Sequence, residues 1–251
     1  MEITSTTNNL IKEIAKLAQK KYRKETGLFI IEGQKAADEA RKLNIEFTNV
    51  FVLKDKIQKY SQYASAISVT PAVMKKISTT ETEPEIIAVA KQLEYSVNDI
   101  QNKNKIVLLE NIKDSGNLGT IIRTCTALKA DAIILTGETA DIYNPKTVRA
   151  AVGNLFKIPF INLKSAKEAK NLLKNHILYA TVVNDKKAED IKNLKPADKF
   201  VIMFGSEADG LTQESENLAD VKITIPLSKD VESLNLSTAV TICVWEILKH
   251  V

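Results

Sequence analysis

Cysteine and histidine are both scarce, with two of each among 251 residues. Cys125 and Cys243 fall inside apolar helical patterns without metal-ligand spacing, so they read as reduced core residues; no disulfide framework and no metal site is expected. His176, expected at a helix end, and His250 at the terminus read as structural or exposed residues, which leaves little basis for histidine chemistry. No run of eighteen apolar residues exists, so no membrane span is expected. The opening MEITSTTNNLIKEIAKLAQKKYRK lacks the uninterrupted apolar core of a signal peptide, and the expected compartment is the cytoplasm. G-x-G-x-x-G after a strand and G-x-x-x-x-G-K-[ST] are both missing, which deprives a nucleotide-dependent oxidoreductase of its fingerprint.

What is present is ordinary globular material: 44% hydrophobic and 26% charged residues, enough for one large or two ordinary domains. The formal charge is only +4, yet six Lys/Arg stand between Lys12 and Lys24 against the single acid Glu13. A phosphate-neutralising patch and a solvated helix face account for such a run equally well. Its candidate phosphate contacts are Lys20, Lys21, Arg23 and Lys24.

Periodicity divides the chain. A helix is expected from Leu10 through the basic run, then strand Leu28–Gly33, helix Gln34–Leu43, strand Phe47–Leu53, helix Lys54–Tyr63, a helix opened by Pro71 and strand Ile86–Ala90. This reads as a small α/β domain over residues 1–97. The polar, aperiodic stretch ending at Lys105 is taken as a linker, 98–105, with a second domain over 106–251. There, continuous apolar strands alternate with helices, including Leu118–Leu128 and Pro145–Val152. That pattern implies an α/β fold with a mostly parallel sheet covered by helices on both faces.

Three stretches carry candidate chemistry. In ENIKDSGNLGTIIRT a strand ends, glycines permit a tight loop, and Arg123 enters a following helix flanked by apolar Ile121 and Ile122; Asn117 could serve as a helix cap. In YNPKTVRAAVGNLFKIPF, Lys146 and Arg149 share one helical face, open to a phosphate backbone or to solvent. The third is a pair of closing loops. GSEADG, bounded by Gly205 and Gly210, offers Glu207 and Asp209 without a lysine, so it suits a neutral or cationic ligand better than a phosphate. In ESLNLS, Asn235 and Ser237 open the last helix, where free backbone N–H groups gather.

Together these stretches resemble the three motifs of the SpoU (TrmH) branch of the SPOUT methyltransferases: DSGNLGTIIRT the first, FGSEADGL the second, IPLSKDVESLNLSTA the third. KTVRAAVGNLFKIP matches further, and KYRKETGLFIIEGQKA is similar to the family's substrate-binding domain, whose fold resembles RNA-binding ribosomal proteins. Ser115 departs from a frequent proline and Ala151 from a frequent serine; the second is expected to weaken an RNA contact.

The resemblance implies S-adenosylmethionine-dependent methylation of a ribose 2′-hydroxyl, in 23S ribosomal RNA ahead of transfer RNA. It implies a homodimer and a trefoil-knotted C-terminal sheet. The cofactor would lie against Phe204, Gly205, Gly210, Ile225, Leu227 and Leu234. Arg123, Asn117, Ser237, Asn235 and Glu207 would form the catalytic group, and Lys20, Lys21, Arg23, Lys24, Lys146 and Arg149 would contact RNA. Guanidinium pKa values stand at about 12 or above, so Arg123 is expected to position phosphate and stabilise developing alkoxide charge, accepting a proton only transiently. A non-catalytic RNA-binding or ribosome-assembly protein on the same fold is the alternative.

Overall fold

The computed structural model describes every residue except Ala64, Asn184, Lys229, His250 and Val251, so the reading of His250 lies outside the described residues. Two compact units form, one from Met1–Leu93 with Asp141–Phe156, the other from Glu94–Ala140 with Lys157–Val251. The single stretch 106–251 expected as one domain is therefore interrupted. The physical reason is a set of buried contacts that periodicity does not reveal. Arg23 pairs with Asp141, Arg149 pairs with Glu32, and the rings of Tyr143 and Phe156 pack on Phe29.

In the front unit the basic run does not form one helix. Helix α1 (Asn9–Lys16) opens where the Asn8 side chain accepts from Leu10 N–H, and α2 (Lys20–Thr26) ends at Gly27 in the left-handed conformation. Between them the Arg23 guanidinium donates to the carbonyls of Leu17 and Ala18, satisfying groups that the end of α1 leaves open. A short strand β1 (Glu2–Ile3), unforeseen in the sequence, joins β2 (Leu28–Glu32), β3 (Phe47–Leu53), β4 (Ile67–Val69) and β5 (Ile86–Lys91). The sheet order is β1-β4-β3-β5-β2, with β5 antiparallel to both neighbours. Helices α3 (Gln34–Lys42) and α4 (Pro71–Ile77) belong to the same unit. The helix expected over Lys54–Tyr63 is instead a 3₁₀ turn at Lys54–Lys56 followed by i→i+3 turns. Three-residue spacing stacks Tyr60 and Tyr63 on one side, where their hydroxyls donate to Glu85 and Asp38.

The rear unit begins with α5 (Val97–Ile100), which carries a Ser96/Asp99 capping box and a fully buried Ile100 where a linker was expected. Next come β6 (Lys105–Glu110), α6 (Ser115–Ala127) and β7 (Ala132–Thr136); helix α7 (Pro145–Ala151) belongs to the front unit. The chain returns through β8 (Phe160–Leu163), α8 (Ala166–Leu172), β9 (Ile177–Thr181), β10 (Glu189–Asp190), β11 (Phe200–Phe204), α9 (Gln213–Leu218), β12 (Val221–Thr224) and α10 (Leu236–Leu248). All seven strands are parallel, in the order β10-β12-β9-β11-β6-β7-β8. Residues of β7 and β11 are buried along their whole length, so both faces of the sheet centre are covered. From β6 the chain builds outward through β7 and β8, while β11 returns to β6's other side. The loops after β6 and β11 therefore flank the point where strand order reverses, the usual place for a ligand crevice in an open parallel sheet.

Candidate active site

Helix α6 starts three residues earlier than expected because Asp114, not Asn117, is the N-cap; its carboxylate accepts from Asn117 N–H at 2.7 Å. Asn117 is thereby freed to point its amide across the crevice. It donates to Glu207 Oε1 at 2.8 Å and accepts from Asn235 Nδ2 at 3.3 Å. Asn235 in turn caps α10, its Oδ1 accepting from Ser237 N–H at 2.9 Å and from Ser237 Oγ at 2.7 Å. Four of the five expected catalytic residues thus form one continuous hydrogen-bonded chain drawn from the start of α6, the 205–210 loop and the start of α10. Arg123 lies outside it, exposed on α6 and without an ion-pair partner among the described residues.

The loop that presents Glu207 is pinched shut. Ser206 and Gly210 exchange backbone hydrogen bonds of 3.0 and 3.1 Å, with Gly210 at φ 68°, where an L side chain is strained. Gly205 allows this closure. A Cβ on it would stand 1.8 Å from the Gly210 carbonyl carbon, where no side chain fits. Sheet pairing of Phe204 with Leu109 fixes the loop's entry, and its exit is held by Glu110. That buried carboxylate accepts from Thr212 N–H at 2.7 Å, Thr212 Oγ1 at 3.2 Å and Ser215 Oγ at 2.5 Å. Glu110, Thr212 and Ser215 escaped the sequence reading. The available signal was an acid ending an apolar strand, which needed a partner if buried.

Beside this chain lies a cavity of about 490 Å³. Phe204, Gly205, Gly210, Ile225, Leu227 and Leu234, the six expected cofactor residues, all line it, as does Glu207. Among the described residues its charged lining is acidic throughout: Asp185, Glu207, Asp209, Glu216 and Glu232, with neither lysine nor arginine. Lys222 pairs with Glu216 at 2.7 Å and Asp185 at 3.8 Å, leaving the acids of the 205–210 loop and Glu232 to set the local potential. Cys243 closes the apolar floor, and burial pushes its thiol up to about 12.

A comparison with protein families matches residues 104–245 to the SpoU rRNA Methylase family. The chain belongs to that family. Residues 8–88 match an MRM3-like substrate binding domain. Among curated SpoU relatives is the 23S rRNA (guanosine(2553)-2′-O)-methyltransferase RlmP of Bacillus subtilis, 29% identical, with 98% of each chain covered. A solved AdoMet-bound rRNA methyltransferase from Sinorhizobium meliloti superposes with a TM-score of 0.90 at 29% identity, over 100% of this chain and 98% of that one. An RNA 2′-O ribose methyltransferase structure gives 0.86 at 27% identity, over 100% and 99%. The family reading drawn from the three motifs is therefore correct, and so is the α/β fold with a parallel sheet.

Within this SpoU chain the expected RNA contacts separate. Lys20, Lys21, Lys24 and Lys146 are exposed. Arg23 is not: its side chain is 2% exposed and donates to Asp141 Oδ2 at 2.9 and 2.5 Å and to the Leu17 and Ala18 carbonyls, so four of its five N–H donors are spent and burial keeps the group from phosphate. Arg149 likewise turns to buried Glu32, which also accepts from Ser78, Thr79 N–H and Thr79 Oγ1. Ala151, expected to weaken an RNA contact, is fully buried at the end of α7. Ser115 occupies the first turn of α6. His176 lies in the turn before β9, with Nε2 2.7 Å from Lys103 O. Among the described residues no group of three or more His, Cys, Asp or Glu could hold a metal, and no helix is long and apolar enough to cross a membrane.

Proposed function

We propose that this protein transfers a methyl group from S-adenosylmethionine to a ribose 2′-hydroxyl of 23S ribosomal RNA, ahead of transfer RNA. The observation that carries the reading is the acidic-lined cavity contiguous with the Asn117–Glu207–Asn235–Ser237 chain, in a member of the SpoU family. A cationic ligand suits that lining and an anionic one does not. Phe204, Gly205, Gly210, Ile225, Leu227 and Leu234 would hold the cofactor by apolar contact and close backbone approach, and the cofactor supplies an electrophilic methyl on a sulfonium.

Asn117 and Ser237 orient the ribose or its phosphate, while Glu207 and Asn235 fix Asn117 so that its amide has one usable direction. Arg123, exposed and without an ion-pair partner among the described residues, is the available fork for the adjacent phosphate, and its charge stabilises the oxygen as the hydroxyl proton passes to solvent water. Lys20, Lys21, Lys24 and Lys146 supply sequence-independent attraction to the backbone. The active form is a homodimer, with the knotted chain path characteristic of the resemblance. Support for pairing comes from Ile242 and Trp245, 37% and 58% exposed on α10. Free, buried Cys125 and Cys243 suit a reducing cytoplasm.

Incubation with methyl-labelled cofactor and separate pools of 23S ribosomal RNA and transfer RNA tests the reading. A single 2′-O-methylated nucleotide in 23S RNA is the expected product. Label in transfer RNA alone reverses the substrate order, and RNA binding with neither methylation nor cofactor affinity makes the protein a non-catalytic binder.

A further inference from the structure

Helices α1 and α4 of the front unit are locked side by side by Ile11, Ile14, Val73, Met74 and Ile77, all buried in one core cluster. Whatever their outer faces carry is therefore held at fixed separation. Between those faces lies an open basin of about 520 Å³, lined by Thr6, Thr7, Lys12, Ala72, Lys75 and Lys76. Its lining holds three ammonium groups and two hydroxyls, and no carboxylate. Two nearby acids, Glu13 and Glu83, already have lysine partners. Glu13 takes Lys16 at 2.7 Å, while Lys75 donates to the Glu81 carbonyl and stands 3.9 Å from Glu83. Lys12 and Lys76 are exposed and have no ion-pair partner among the described residues.

We propose that this basin is a second RNA-binding surface, taking ribose-phosphate backbone on Lys12 and Lys76 with Thr6 and Thr7 as neutral donors. The assignment rests on the RNA reading above and adds to it a surface separate from the Lys20–Lys24 stretch. Ammonium groups without protein partners keep mobile counterions, which phosphates displace at a gain in entropy; hydroxyls then fix the register without reading sequence. The match of residues 8–88 to a substrate binding domain includes Lys12, Lys75 and Lys76 but names no surface within it.

The test compares full-length protein with Lys12→Gln and Lys76→Gln combined against wild type, binding transcribed 23S RNA over roughly 50–200 mM salt, where phosphate contacts dominate. Loss of two contacts lowers the steepness of log affinity against log salt by about 1.4–1.8. Affinity at low salt falls about tenfold or more, and calorimetric affinity for S-adenosylmethionine stays at the wild-type value. A slope equal to wild type overturns the basin. So does displacement of RNA by inorganic phosphate at matched ionic strength, which would mark a free-anion site. If wild type binds RNA yet transfers no methyl group, the enzyme reading fails while the slope still decides the basin.

Discussion

In the front unit the Arg23 guanidinium is sealed from solvent, spending its donors on Asp141, 118 residues away in sequence, and on two carbonyls of its own helix pair. In the rear unit Arg123 stands exposed, without an ion-pair partner among the described residues, on the same helix α6 whose first turn supplies Asn117 to the polar chain. The two side chains are chemically identical, and both sit in helices near glycine-bearing turns. What separates them is whether a carboxylate from a remote segment arrives. The first is committed to holding a fold and the second is available to a ligand.

The sharpest way to break that contrast is to truncate each arginine and read both stability and turnover. Arg23→Ala leaves the part-buried Asp141 carboxylate without its partner and the Leu17 and Ala18 carbonyls without their donor, destabilising the front unit by about 3–5 kcal/mol in urea unfolding. Arg123→Ala leaves the unfolding midpoint within experimental scatter and lowers turnover by about 10²–10³, the usual effect of removing one group that stabilises transition-state charge. Calorimetric cofactor affinity survives in the second variant. Arg123→Lys also loses turnover, because a point charge does not replace a planar fork. Should Arg123→Lys turn over like wild type, Arg123 acts only through its charge; should Arg23→Ala be stable, the ion pair is ornamental.

The same contrast explains what could be read in advance. The rear unit's parallel sheet and the two closing loops were legible because they depend on short-range signals: continuous apolar strands, glycines where the backbone closes, and caps at helix starts; the grouping of Asn117, Glu207, Asn235 and Ser237, whose contacts span 90 and 118 residues, followed only from the family resemblance. The burial of Arg23 and the pairing of Arg149 were not visible because their partners Asp141 and Glu32 lie more than a hundred residues away, and a charge run looks the same whether it faces water or a remote acid. For the same reason the clustering of Asp141–Phe156 with the front unit was not foreseen. Asp114 displaced Asn117 as the cap of α6 because both residue types suit the position, and only the geometry of the turn chooses between them.

Between the two extremes stands Gly205, structural and functional at once. Gly205→Ala places a methyl carbon against the Gly210 carbonyl and Leu211 nitrogen, 1.8 to 2.0 Å away, so the Ser206–Gly210 pinch must open. A cost of about 1–3 kcal/mol, typical of forced overpacking, falls on the loop that presents Glu207. The Michaelis constant for S-adenosylmethionine therefore rises along with the loss of stability, unlike either arginine variant. Gly210→Ala has open space around it and suffers only from φ 68°, so its effect is smaller.

The smallest expected effect concerns buried thiols and returns the comparison to groups whose burial has no compensating partner. Burial pushes Cys125 and Cys243 up to about 12 from an ordinary value near 9. Between those values the unfolded chain releases a proton that the native chain retains. Each thiol's contribution is fully present below about pH 9 and is lost as pH rises towards 12. Over the step from pH 8 to 10, Cys243→Ala should flatten the fall in unfolding free energy by roughly 1 kcal/mol, about one pH unit of linkage. Tyr60 and Tyr63, also raised by burial, contribute in the same direction from the front unit, so the quantity to read is the difference between variant and wild type, not either slope alone. Because Cys243 lines the cavity, saturating S-adenosylmethionine should leave its thiol at least as inert to alkylation at pH 8 as in the free protein. Faster alkylation with ligand bound would mean that the cavity floor opens on binding, and Cys243 would then belong with Arg123 among the responsive residues and not with Arg23 among the fixed ones.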